Sequence, residues 1–171
     1  MKKIISIALL AAMIFVLPAC GSRKSEDHFV GPAGVNPMVE ADENSILQEI
    51  GVSMKAPDGA ENVKYFIYRT ENPIAEVRFT FEGNEYNYRK SPADKFSDIS
   101  GMFYTWQHSG EAKIDYCDAA VSWNDSGEGI ILWYEIVPGI MHSLSMTENA
   151  DMETLTAMAS AIFEPAQGDA P

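Results

Sequence analysis

Cysteine is scarce in this chain, with two in 171 residues, and that excludes a disulfide scaffold. Histidine is nearly as rare at three, and neither HExxH nor a paired CxxC occurs, so no metal-ligand spacing presents itself. GxGxxG and Walker loops are missing too, which removes the usual phosphate cradles. Basic residues number 12 against 25 acidic ones, and a formal charge of −13 is the opposite of what nucleic acid attracts. Nine prolines form no collagen-like or low-complexity pattern. What is present is a hydrophobic fraction of 46%, too high for a disordered chain and suited to one small globular domain. The expectation is a protein that is not an enzyme, with no catalytic residues, metal centre or cofactor.

The N-terminus carries the most specific signal. Lys2 and Lys3 precede an apolar run from Ile4 to Val16, too short for a bilayer that needs roughly 20 apolar residues. Leu17-Pro18-Ala19-Cys20 resembles the lipobox of bacterial lipoproteins. That resemblance implies a diacylglyceryl group on the Cys20 thiol and cleavage just before it. Two acyl chains, at about 0.8 kcal/mol per buried methylene, anchor a protein stably without spanning the membrane. Residues 1–19 are therefore expected to be a signal peptide, and the mature chain to sit on the extracytoplasmic face of the cell membrane. Cleavage removes two of the 12 bases and no acid, taking the charge to −15, so lipid rather than a polybasic patch must hold the protein there. Cys117 is then the remaining thiol, and its strand-like surroundings read as those of a small buried hydrophobe.

Residues 20–41 are rich in Gly, Ser, Pro and charge, the composition of a flexible tether. Residues 165–171 read as a polar tail, and residues 42–164 as one domain. It opens with a helix from Asp42 to Ile50, stopped by Gly51. Strands are expected at 63–70, 74–81, 85–90, 101–107, 112–123, 129–137 and 140–147. The clearest is Ile74–Phe81, where Ala75, Val77, Phe79 and Phe81 alternate with Glu76, Arg78 and Thr80. Short turns such as Gly83-Asn84 and Pro138-Gly139 suit antiparallel neighbours. Met152, Leu155, Met158, Ala159, Ile162 and Phe163 make an apolar helical stripe, capped by Thr147 or Asn149. The fold class is α+β, a curved antiparallel meander of about seven strands with both helices packed on one face.

Few residues invite chemistry. His28 lies in the tether and His108 at a strand end, while His142 shares parity with Ile140 and Leu144 and reads as a hydrogen-bonded core residue. A triad of Ser143, His142 and Asp118 fails because neighbours in a strand face opposite ways. Asn124 to Glu128 has oxygen donors without the spacing of an EF-hand. Arg69, Arg78 and Arg89 with Glu71, Glu76 and Glu85 suit cross-strand pairs on a solvated face. Aromatic residues occupy both strand parities. Trp106, Trp133, Tyr104 and Tyr134 are therefore the candidates for stacking on a glycan or docking a protein.

Pro57-Asp58-Gly59-Ala60, Ala75-Glu76-Val77-Arg78-Phe79, Tyr86-Asn87-Tyr88-Arg89, Asp98-Ile99-Ser100-Gly101-Met102, Trp106 and Ser143-Leu144-Ser145-Met146 together resemble a domain-of-unknown-function family. Its members are lipoproteins and anti-sigma-like extracytoplasmic regions of Gram-positive anaerobes. The likeness spans about Ile46 to Phe163 and implies an envelope location with a sensing or interaction role; it carries no catalytic residue. The expected function is a lipid-anchored envelope binding module whose partner is another envelope protein, or alternatively a carbohydrate or peptidoglycan fragment. The anchor is testable. Palmitate labelling of cells should mark the wild-type protein and vanish in Cys20→Ser; labelling that persists in the variant refutes it.

Overall fold

The computed structural model describes residues 36–164; the expected signal peptide, Cys20, His28 and the expected polar tail lie outside the described residues. The elements in chain order are β1 (Met38–Ala41), α1 (Glu43–Ile50), β2 (Glu61–Tyr68), β3 (Ile74–Phe81), β4 (Asn84–Pro92), β5 (His108–Ile114), β6 (Cys117–Trp123), β7 (Gly129–Glu135), β8 (Ile140–Met146) and α2 (Met152–Ile162). The strands form one open antiparallel sheet in the order β1-β2-β3-β4-β8-β7-β6-β5.

The α+β class holds, and four details of the strand layout differ from what the sequence predicts. The tether is expected to reach residue 41, yet Met38–Ala41 pairs with β2. A four-residue strand is too short to show a period, and Val39 and Ala41 gain their place by packing on the core. The single strand expected at 112–123 is a hairpin, with Asp115 (φ 53°) making the turn and Ser109-Gly110 lying inside β5. Residues 101–107 are not a strand, despite their aromatic content. Local bonds win there: Asp98 Oδ1 accepts from the Ser100 amide at 2.8 Å, and Ser100 Oγ from the Met102 amide at 3.1 Å. Finally, the sheet is two four-stranded meanders rather than one, because β4 pairs with β8 and the chain crosses to the far edge to begin β5.

Both helices cover the same face. Ile46 of α1 and Leu155, Met158, Ala159 and Ile162 of α2 join Val77, Tyr88, Val121, Ile131, Trp133 and Leu144 in one core. Asp42 caps α1 by accepting from the Ser45 amide at 2.8 Å. Asp151, rather than Thr147 or Asn149, caps α2 through the Thr154 amide at 2.7 Å. On the opposite face, Ile130, Leu132 and Met141 are covered by the loop between β4 and β5 through Ala93, Ile99, Met102 and Trp106. β7 is thus buried on both sides, as its nearly continuous apolar sequence demands.

That loop is pinned by charge. Glu76, fully buried on β3, accepts from Arg78 Nε at 2.6 Å and Arg89 Nε at 2.5 Å. Arg89 Nη1 donates onward to the carbonyls of Ile99 (3.0 Å) and Ser100 (2.7 Å). Gly101 is required beside it: its φ is +71°, and a Cβ there would lie 2.6 Å from Arg89 Nη1. Arg69 pairs instead with Glu49 of α1 at 2.8 Å. At the other end of the sheet α2 seats over Gly129, where a Cβ would come within 2.5 Å of Ala150 Cβ and 3.0 Å of Leu155 Cδ1. Gly129→Ala should therefore lower stability by roughly 1–3 kcal/mol through overpacking. Urea denaturation should show a lower midpoint at unchanged slope.

Candidate functional site

The helix-covered face is apolar except at one end. There the registers Lys90↔His142, Trp133↔His142 and Glu135↔Ile140 bring Lys90, His142 and Glu135 together from β4, β8 and β7. All three are buried: Lys90 is 4% exposed, Glu135 1% and His142 0%.

Their hydrogen bonds form a chain. The Tyr116 hydroxyl, at the β5–β6 turn, donates to Glu135 Oε2 at 2.8 Å. His142 Nε2 lies 2.8 Å from Glu135 Oε1, and His142 Nδ1 lies 2.9 Å from the Tyr88 hydroxyl. A carboxylate can only accept, so Nε2 carries the proton and Nδ1 accepts from Tyr88. The imidazole also stacks on Trp133, with centroids 4.8 Å apart and 16° between planes. Lys90 Nζ donates to the Ser53 carbonyl at 2.9 Å and sits 5.6 Å from the Tyr88 ring centroid.

Burial sets the protonation states. It pushes the His142 pKa down to about 4, against the opposing pull of its Glu135 hydrogen bond, so the ring is neutral at pH 7. It raises Tyr88 well above the usual phenol range and, reinforced by the Glu135 hydrogen bond, lifts Tyr116 to about 12. Both phenols therefore remain donors. Burial also lowers Lys90, with Glu135 and Glu164 pulling the other way.

A cleft of about 880 Å³ opens onto this cluster. Lys90 and Glu135 line it with Ser53, Lys55 and Glu164, and Leu47, Val52, Ile140 and Phe163 supply apolar wall. His142 does not line it; the imidazole lies behind Glu135 and holds that carboxylate in place. The arrangement can present fixed charge to a ligand, with the histidine as a positioning group.

The four candidate aromatics do not make one surface. Trp133 is in the core on the helix side, fully buried. Tyr134 and Trp106 pack against the small cluster on the opposite face, where the Tyr134 hydroxyl donates to the Ala93 carbonyl at 2.9 Å. Tyr104 is 45% exposed and lies 5.7 Å from Trp106, centroid to centroid. Of the four, Tyr104 and Trp106 are ring neighbours, and Tyr134 stands apart from them, half-buried like Trp106. Ser143 faces away from His142, as alternation requires, and Asp118 is on an exposed strand position. Asn124 Oδ1 is occupied by the amides of Ser126 (3.1 Å) and Glu128 (3.0 Å), and His108 Nε2 contacts Asp125 at 2.6 Å. Cys117 is a free buried thiol, raised to about 11 chiefly by burial. No group of three His, Cys, Asp or Glu suited to a metal occurs among the described residues.

Strand parity places His142 inward but does not by itself name its partners. The signal was there: Lys90 continues the inward alternation of Tyr86 and Tyr88, and Glu135 that of Ile131 and Trp133. Charged residues on an inward parity at adjacent strand ends marked the site. Compared with known proteins, the chain matches no family model, no curated protein and no solved structure.

The depressed histidine has a pH signature. An unfolded chain takes up the His142 proton near pH 6.5, whereas the folded protein refuses it until about 4. Stability from this residue is thus complete above pH 6.5 and is lost as pH falls toward 4, by on the order of 3 kcal/mol. NMR titration of the His142 ring should give a midpoint near 4; a midpoint near 6.5 contradicts the assignment.

Proposed function

We propose that this chain is a lipid-anchored envelope protein whose α+β domain is a non-enzymatic binding module, with the cleft at Lys90 and Glu135 as its ligand site. The cleft carries this reading. At about 880 Å³ it falls in the range of small-ligand pockets, roughly 300–1,000 Å³, and its apolar walls with a few fixed polar groups follow their usual composition. Its polar floor is held rigid by hydrogen bonds from behind, which preorganises it for binding. The histidine nearest the cleft, His142, is sealed from it and kept neutral, which favours binding over proton transfer. The anchor rests on the signal sequence and the Cys20 lipobox, and the resemblance to extracytoplasmic lipoprotein domains points the same way.

In-cell photocrosslinking tests the site. A photoreactive residue at Leu47, exposed on the cleft wall, should yield a discrete adduct, and one at exposed Lys113 on the edge strand should not. Ser53→Trp, which narrows the cleft, should abolish the Leu47 adduct. Equal labelling from both positions, or none from Leu47, refutes the cleft as the binding site.

A further inference from the structure

The charges in the cleft are balanced, and that constrains what it can hold. Lys55 and Lys90 stand against Glu135 and Glu164, two of each sign. They are not equivalent. Lys90 is buried and fixed by the Ser53 carbonyl, and an ammonium offers three donors. Glu135 already has both oxygens engaged, by His142 and Tyr116. Glu164 is on the rim; its contact with Lys55 is 3.9 Å long, and both side chains are more than half exposed, at 54% and 58%. An ion pair that loose is worth no more than about 1 kcal/mol and is readily exchanged for a ligand.

Resting on the reading of this cleft as the ligand site, we infer that it takes a short zwitterionic peptide, the carboxylate on Lys90 and the ammonium on Glu164. A ligand bearing only a carboxylate would face Glu135 and Glu164 without a compensating cation of its own. One bearing only an ammonium would face Lys90 and Lys55. Uncompensated charge in a partly desolvated cleft is costly, and a zwitterion leaves none. Leu47 and Phe163 offer apolar surface for a side chain between the two ends. The volume exceeds what a single amino acid fills, which favours a peptide of a few residues.

Isothermal titration of the mature full chain in detergent with Ala-Leu-Ala, and with the same peptide acetylated and amidated at its ends, tests the assignment. Ala-Leu-Ala should bind, and blocking both termini should weaken binding at least tenfold. Lys90→Met should weaken the free peptide by a similar factor without affecting the blocked one. Glu164→Gln, at an exposed position, should do the same. Equal affinity for free and blocked peptides overturns the zwitterion while leaving the cleft as the site. Binding of neither peptide, with the Leu47 crosslink still formed, overturns the peptide class alone; loss of both overturns the cleft as well.

Discussion

A carboxylate taken out of water costs several kcal/mol unless hydrogen bonds replace its hydration, and Glu135 is 1% exposed. Much at this end of the sheet answers that cost. Tyr116 and His142 donate to the two carboxylate oxygens, His142 then needs an acceptor's complement at Nδ1, and Tyr88 supplies it. Each partner must be held in turn. Trp133 stacks on the imidazole and on Tyr88, and Phe163 meets both Trp133 and His142 edge-on. A single buried charge thus fixes the rotamers of residues from β4, β7, β8 and the end of α2.

The opposite face solves the same problem with different chemistry. Glu76 is as deeply buried as Glu135, but two arginines join a tyrosine hydroxyl, that of Tyr68, in satisfying it. Because Arg89 also reaches two backbone carbonyls, that ion pair holds the long loop after β4 over the outer side of β7. One buried acid therefore organises a packing layer, and the other organises the floor of a cleft. Removing either partner from such an arrangement leaves a charge stranded, so neither can be replaced singly without loss of structure.

The parts of the fold set by period or by a turn residue were legible in the sequence. β3 shows its alternation, α2 its stripe, and Gly51 the end of α1 (φ 81°). What was not legible depended on partners distant in the chain. β1 is stabilised by β2, some twenty residues on, and the choice of β8 as neighbour to β4 is made by burial of Tyr88 against Leu144 rather than by any turn. The segment around Phe103 and Tyr104 looks strand-forming, yet Asp98 and Ser100 bend the backbone first. The site was half legible for a similar reason. Parity placed His142 inside, but Lys90 and Glu135 become neighbours only once the strand order is known.

The register also fixes where the chain enters and leaves this domain. Pro37 accepts from the Arg69 amide at 2.8 Å at the start of β1, and Glu164 lines the cleft just past α2. Both ends of the described chain therefore lie at the end of the sheet where Lys90 sits, while the Gly83 turn lies at the other. A segment joined directly before β1 or after Glu164 would emerge at the same end of the sheet as the cleft. An insertion at Gly83-Asn84 would leave it open, making that hairpin the place to attach a reporter.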